Sequence, residues 1–391
     1  MNRTHPVEAA GEAVREVQPI YTSAVTSCVN SIDWRAFLGR PRLPQPSSQV
    51  VDELRQERIL VTGAGGSIGS ALALRLAGIA PRRLILLESS ESALFTLQGA
   101  LAGAAQSQPP ACILGSVQDA NLLGDLFAHY EPSLVFHAAA FKHVPLLEEH
   151  PVAAIENNVF GTKSLASAAA TNGARVVLLS TDKAVEPASI MGATKRVAEC
   201  IVLGAGGTVL RLGNVLASSN SVAESFARQI AAGGPLTVTD PAARRYFLTI
   251  EEAVDLLIAA SGEPEGPVLL APDLRSPQYV TDLARFMARV LAPDQEISID
   301  FTEPRCGDKE LEKLWSSDET AVPAATEGLF SIRSDLMAEA AFDRELGALL
   351  SATRARDLPT ALSLLRSLVP DFTPSAALLT VAQRSASRVA P

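Results

Sequence analysis

The sequence predicts an α/β fold, a doubly wound parallel sheet with a smaller C-terminal lobe. Three observations carry that prediction. Short apolar runs with the character of buried strands (RILVT at 58–62, LILLE at 84–88, LVFHAAA at 134–140 and Arg175–Ser180) alternate with stretches of helical pattern. A glycine-rich turn follows the first run and opens an apolar helix, GAGGSIGSALALRLA from Gly63. Thr181, Asp182 and Lys183 fall at the tip of another run, on the C-terminal side where open α/β sheets bind ligands.

Composition narrows the class. At 391 residues the chain can bury one large or two modest cores. It is 47% hydrophobic, yet no apolar run reaches the roughly 18 residues of a membrane span. The opening MNRTHPVEAAGEAVREVQ lacks the apolar centre of a signal peptide. The net charge is −10 with no Lys/Arg block, which argues against nucleic acid as a partner. Four cysteines lie far apart without metal-ligand spacing, so buried free thiols, a reducing cytoplasmic setting and no metal are expected.

Taken in order, residues 1–55 read as an N-terminal extension and linker, the first 30 flexible or partly helical and Pro41–Ser48 rich in Pro and Ser. Residues 56–212 read as a Rossmann-like NAD-binding domain. Gly63 makes the tight turn, Gly66 lets backbone approach a pyrophosphate, and Gly69 lets the helix pack on its strand. Amides at that helix start, around Ser67 and Ile68, then face the anion. Glu88 ends the second strand 19 positions after Gly69. A carboxylate there accepts the ribose hydroxyls and repels a 2′-phosphate, which favours NAD over NADP. Arg82 and Arg83 lie at the far end of that strand. Ser90 belongs to the same predicted cofactor set, as do Ser116 and Val117 after the third strand, Cys112–Leu114. Ala138 and Ala139 at the fourth strand are small enough for backbone to lie against the cofactor. Met191 and Lys195, four apart, share one face of the helix after the Asp182–Lys183 tip.

The stretch STDKAVEPASIMGATKRVAE (180–199) resembles the signature of the nucleotide-sugar 4,6-dehydratases of polysaccharide biosynthesis, the CapD-like branch of the extended short-chain dehydrogenase/reductase superfamily. That branch often has Met-x-x-x-Lys where the superfamily has Tyr-x-x-x-Lys. The text AAFKHVPL is similar to the same family, as are the segments around Asn214, RRYFLTI and FTEPRCGDKELEKLW, so the resemblance covers about 32–374. SIDWRAFLGRPRL resembles the segment preceding the nucleotide-binding domain in longer members, where a membrane-spanning region lies upstream. This chain has no room for it, so a soluble, truncated relative is expected.

The resemblance implies Thr181, Asp182, Lys183, Met191 and Lys195 as the catalytic group. It implies Lys142, His143, Asn158, Asn214, Arg245, Arg305 and Asp308 as substrate-binding, the two arginines at the diphosphate and Asp308 at the nucleotide ribose. For His143 a packed histidine satisfied by backbone is an equal alternative. Ala217, Asn220 and Glu224 replace the family's Gly, Gly and Pro, which puts the shape of that loop in question. The implied substrate is a nucleotide sugar, UDP-N-acetylglucosamine first, and a homo-oligomer is expected. Oxidation at sugar C4 would acidify C5; Lys183 would take the C5 proton while Asp182 protonates the departing C6 hydroxyl. Lys183 must be neutral for that; burial beside Lys195 or a desolvated sugar is expected to lower its pKa, while nearby Asp182 pulls the other way. A thioether cannot take the C4 hydroxyl proton, so Thr181, Asp182 or a water must relay it. A C4 or C5 epimerase and an inactive NAD- and nucleotide-sugar-binding regulator are the alternatives. Residues 213–374 read as mainly the substrate lobe with C-terminal helices, with segments crossing between the lobes, and 375–391 as a disordered tail.

Overall fold

Six short strands, β1 (Arg58–Thr62), β2 (Arg83–Glu88), β3 (Ala111–Leu114), β4 (Leu134–His137), β5 (Arg175–Thr181) and β6 (Thr208–Leu212), form the parallel part of a sheet. The structure, a computed structural model, describes residues 28–102, 108–333 and 339–389. Most of the expected tail, Ala376–Val389, is helical there, while the expected flexible stretch 1–27 lies outside the described residues.

Between β6 and the end of the sheet come β7 (Asn214–Val215), β8 (Leu236–Val238), β9 (Arg244–Arg245), β10 (Phe247–Leu248), β11 (Val268–Pro272), β12 (Gln278–Tyr279) and β13 (Ile299–Phe301). β14 (Thr320–Pro323) and β15 (Leu329–Arg333) follow. The nine-stranded sheet has the order β14-β15-β11-β6-β5-β4-β1-β2-β3. β11 adds in parallel to β6, and β15 and β14 close that edge antiparallel. Ile59, Leu60 and Val61 are wholly buried because helices cover both faces, which is why these strands read as continuous apolar runs rather than alternating ones. Strand order reverses between β1 and β4, and a crevice opens outside their C-terminal ends.

A second, smaller core is built on the pairs β7·β10, β8·β13 and β9·β12 with the helices Val222–Ala231 and Val280–Leu291. The N-terminal segment belongs to it. Trp34 and Leu38, on the helix Trp34–Leu38, are buried against Phe226, Phe247 and Met287. The segment expected as a linker is therefore a strap. Arg40 donates to both oxygens of Glu252, at 2.7 and 2.9 Å, and Leu43 N donates to the same carboxylate at 3.1 Å. The fork of Arg40 matches the carboxylate and leaves no buried charge unpaired.

The chain beyond Asn214 crosses between the two cores. β11, β14 and β15 return to the large sheet. The helices Glu339–Arg354, Leu358–Leu368 and Ala376–Val389 pack on the large domain, forming one cluster with Val144, Leu147, Met191 and Ile201. Leu378 and Ala382, four apart on the supposed tail, are both buried there. Cys28 and Cys306 are exposed and Cys112 and Cys200 half-buried, so the four free thiols are not the buried set that was expected. Among the described residues no helix is long and apolar enough to cross a membrane.

Candidate active site

Two glycines shape the crevice by close approach. Gly63 ends β1 at φ 66°, and a Cβ on it would lie 2.7 Å from the Ala139 backbone, so no other residue lets β1 and β4 meet. Gly192 opens the helix Ile190–Gly204, where a Cβ would stand 2.2 Å from the Lys183 carbonyl oxygen. That contact holds the turn Asp182–Ala184 against the helix and so fixes where Lys183 points. Ser189 caps the helix, accepting from Gly192 N at 3.2 Å.

The crevice encloses about 670 Å³ between the two cores. Gly63, Gly66, Ser67, Ile68, Gly69 and Ala138 line one end of it. Lys142, His143, Thr181, Lys183, Met191, Lys195 and Asn214 line the rest, so the sequence brought most of its predicted site residues to one cavity. Leu146, Leu147 and Ala153 extend it as an apolar wall beside Met191.

Several predicted residues sit behind that wall. Asn158 is buried and fully engaged: it accepts from Phe141 N at 2.8 Å and donates to Phe141 O at 3.1 Å and to Thr194 Oγ1 at 3.2 Å. It lies in a wide helical turn, Ile155–Gly161, and pins the loop that carries Lys142, rather than facing a substrate. Val117 is buried against Gly161, and the Ser116 hydroxyl accepts from Gln118 N at 3.2 Å. Glu88 ends β2 as expected, but its carboxylate accepts from Gly65 N at 2.8 Å and Ser90 N at 2.9 Å. Ser89 Oγ donates to it as well at 3.3 Å, so of the roughly four acceptor positions of a carboxylate one remains for a ribose hydroxyl. Arg83 donates to Gln108 and Pro109 at the opposite strand end, away from any ribose phosphate. The glycine approach, the helix start at Ser67 and the acid at Glu88 fit a dinucleotide without a 2′-phosphate.

Arg245 is also buried. It donates to the carbonyls of Arg244 at 2.8 Å and Glu310 at 3.1 Å, so it anchors the 305–312 segment and does not line the cavity. Arg305 is exposed at a turn whose Gly307 has φ 83°, and Asp308 N closes it on Arg305 O at 3.0 Å. Burial raises the Asp308 pKa, while Arg245, Arg305 and Lys183 draw it back.

At the strand tip, Asp182 is wholly buried. Its Oδ1 accepts from Thr181 Oγ1 at 2.9 Å and from Lys183 Nζ at 3.0 Å, while Oδ2 has no hydrogen-bond partner. Burial pushes its pKa up against the pull of Lys183, with Glu312 adding to the rise. For Lys183 the outcome is opposite to the expected one. Burial does lower its pKa, but Asp182 and Glu312 together outweigh burial, and the ammonium is held above the ordinary lysine range. Asn214 Oδ1 accepts from the same Nζ at 2.8 Å. Lys195 behaves as a buried lysine does: burial lowers its pKa to about 8 against the pull of Glu199, and Nζ donates to Leu179 O at 2.7 Å.

Glu312 went unread in the sequence because it sits in a charge-dense run, DKELEK, that reads as solvated surface. The seam between the two cores went unread too. Ser67 Oγ donates to Ser219 Oγ at 2.9 Å and accepts from Ser219 N at 2.9 Å, and Lys142 Nζ donates to Ser219 O at 3.0 Å. Ala217 and Asn220 flank that seam at φ 60° and 55°. Both keep the left-handed backbone that glycine adopts freely, at a cost of about 1–2 kcal/mol for alanine. Among the described residues no group of His, Cys, Asp and Glu could hold a metal ion.

Residues 59–334 match a family described as polysaccharide biosynthesis protein. The chain is 39% identical over 292 residues to a probable polysaccharide biosynthesis protein EpsC of Bacillus subtilis, covering 72% of this chain and 49% of that protein. It is 36% identical over 301 residues to the capsular polysaccharide biosynthesis protein CapD of Staphylococcus aureus, 74% of this chain and 50% of that one. The chain thus spans about half the length of these two relatives. A UDP-glucose 4-epimerase of Rickettsia massiliae is 33% identical over 279 residues, 67% of this chain and 79% of that one. The X-ray structure of Pen from Bacillus thuringiensis superposes with a TM-score of 0.66 at 27% identity, covering 73% of this chain and 89% of that chain.

Proposed function

Because this chain belongs to the polysaccharide biosynthesis protein family, we propose that it is an NAD-dependent nucleotide-sugar 4,6-dehydratase, with UDP-N-acetylglucosamine as the first substrate to test. One observation carries the reading. An acid and a base, Asp182 and Lys183, share a hydrogen bond; Lys183 lines the cavity, Asp182 is buried behind it, and a hydroxyl at the wall, Thr181, reaches the same carboxylate. Oxidation of an alcohol needs one proton acceptor; loss of water needs an acid and a base together.

NAD, when bound, supplies a hydride acceptor at sugar C4 and a donor at C6. The chain's residues handle the protons. Lys195 sets a positive charge beside the reacting carbon, held in place by Leu179 O. The Met191 thioether takes no proton, so the Thr181 hydroxyl receives the one leaving the C4 oxygen and passes its own to Asp182 Oδ1, 2.9 Å away. The raised pKa of Asp182 suits it to keep that proton. Once Asp182 is neutral it no longer holds Lys183 as an ammonium, and Lys183 releases a proton to water in the cavity. The free amine then takes the C5 proton as the C5–C6 double bond forms and the C6–O bond breaks. Asp182 delivers its proton through the Thr181 hydroxyl to the departing oxygen, which leaves as water, and the Lys183 ammonium returns a proton to C5 when C6 is reduced.

A C4 epimerase is the second reading, favoured by the Rickettsia relative named for that activity. It needs no acid and base aimed at C5 and C6. Incubation with UDP-N-acetylglucosamine separates the two: a dehydratase yields a product lighter by one water, an epimerase one of unchanged mass. A product of unchanged mass sinks the dehydratase reading.

A further inference from the structure

Lys183 lies between two carboxylates from distant parts of the chain. Asp182 Oδ1 is at 3.0 Å and within hydrogen-bond reach, whereas Glu312 Oε1 is at 3.9 Å and outside it. The Glu312 side chain is only 2% exposed, so water screens its charge little. Its other oxygen pairs with Lys309 at 2.7 Å, and Lys309 Nζ also donates to Val185 O at 2.8 Å, two residues after Lys183. The segment carrying both is anchored by Arg245 through Glu310 O. Arg245, Asp308 and Arg305 are the other charged groups turned toward this cluster, and the Tyr246 phenol is near enough to Asp182 to feel its charge.

We propose that Glu312 is a positioning residue for the base: it holds the Lys183 ammonium against Asp182 in the resting site and sets how readily that ammonium gives up its proton once Asp182 is neutral. The inference rests on the reading of Lys183 as the C5 base. Asp182 and Asn214 take two of the three Nζ donors and Glu312 Oε1 lies beyond hydrogen-bond reach at 3.9 Å, so Glu312 acts through its field alone. Lys309 neutralises part of that field. The two residues therefore pull Lys183 in opposite directions: loss of Glu312 loosens its proton, and loss of Lys309 tightens it.

The experiment follows Lys183 directly, by trace acetylation of the ligand-free protein across pH with peptide mass spectrometry, in wild type, Glu312→Gln and Lys309→Met. The pH midpoint of Lys183 labelling should fall by about one unit in Glu312→Gln, a tenfold change in its proton equilibrium, and rise in Lys309→Met. In parallel, the pH profile of solvent deuterium uptake at C5 of the sugar should move in the same directions. A residue with a merely structural role would lower the height of that profile without moving it. An unmoved labelling midpoint in folded Glu312→Gln overturns the inference, whatever the exchange does. Shifted labelling with no C5 exchange by wild type instead overturns Lys183 as a C5 base and leaves the hold of Glu312 on Lys183 supported.

Discussion

The Glu88 carboxylate and the Gly65 amide are hydrogen-bonded at 2.8 Å, so the acid at the end of β2 fastens the glycine-rich loop before any ligand arrives. The same carboxylate accepts from Ser90 N. Removing it should loosen the loop and also abolish the repulsion of a 2′-phosphate. Wild type is expected to bind NAD more tightly than NADP. Glu88→Ala should weaken NAD by about 1.5–3 kcal/mol, the range for hydrogen bonds to a charged group, and narrow the gap. Titration with both nucleotides measures this, and a preference for NADP in wild type would refute it.

Substituting Lys183 should separate the two halves of the reaction, and substituting Asp182 should not. With UDP-N-acetylglucosamine, Lys183→Ala should still oxidise C4 and accumulate reduced cofactor with a keto sugar that retains its C6 hydroxyl. In deuterated water wild type should place deuterium at C5 and Lys183→Ala almost none. Asp182→Asn should slow both oxidation and loss of water, since the amide can neither keep the relayed proton nor deliver one. Nuclear magnetic resonance of the products reads all three outcomes. Dehydration by Lys183→Ala at the wild-type rate would move the base elsewhere.

Arg245 and Arg305 should no longer behave alike. Arg305 is exposed, so Arg305→Ala should weaken binding of a UDP-sugar by about 1.5–3 kcal/mol without changing the melting temperature. Arg245 is buried on two backbone carbonyls, so Arg245→Ala should lower the melting temperature and loosen the segment that carries Glu312. Calorimetry alongside UDP titration distinguishes them. An Arg245→Ala protein of unchanged stability would contradict the anchoring role.

His137 gives a stability signature. It is buried between Thr62 Oγ1 at 2.7 Å and Thr162 Oγ1 at 2.9 Å, and burial first, then Lys195, lowers its pKa to about 3. The unfolded chain binds this proton below about pH 6.5 and the folded one only near pH 3. Stability should therefore fall with falling pH across that window, by up to about 1.4 kcal/mol per pH unit from this group. Denaturant melts of wild type and His137→Gln between pH 4 and pH 7 test it, and the variant should lose part of the slope.

How far the sequence could be read follows from the physics of each part. β1, β2, β4 and β5 were legible because both faces of each are covered, which turns their central positions apolar. The glycine spacing was legible because Gly63 must approach Ala139 so closely that nothing else fits. Arg40 and Glu252 were not, since the pair closes over more than two hundred residues and neither partner has a local pattern. Leu378 and Ala382 keep helical spacing, but the serines and arginines around them gave the composition of a loose tail. The bonds of Asn158 to the Phe141 backbone were not legible, because an amide that holds a loop and one that meets a ligand are the same residue in a sequence.

The Ser67–Ser219 seam joins the helix start proposed to face the pyrophosphate to a loop of the other core. In the reaction proposed above, the electrons lent by the sugar return to the same sugar, so nothing obliges the nucleotide to leave between turnovers. A closed seam turns such a dinucleotide from a co-substrate into a prosthetic group. Catalysis then becomes indifferent to the redox balance outside, and a protein isolated without added nucleotide should already carry its own.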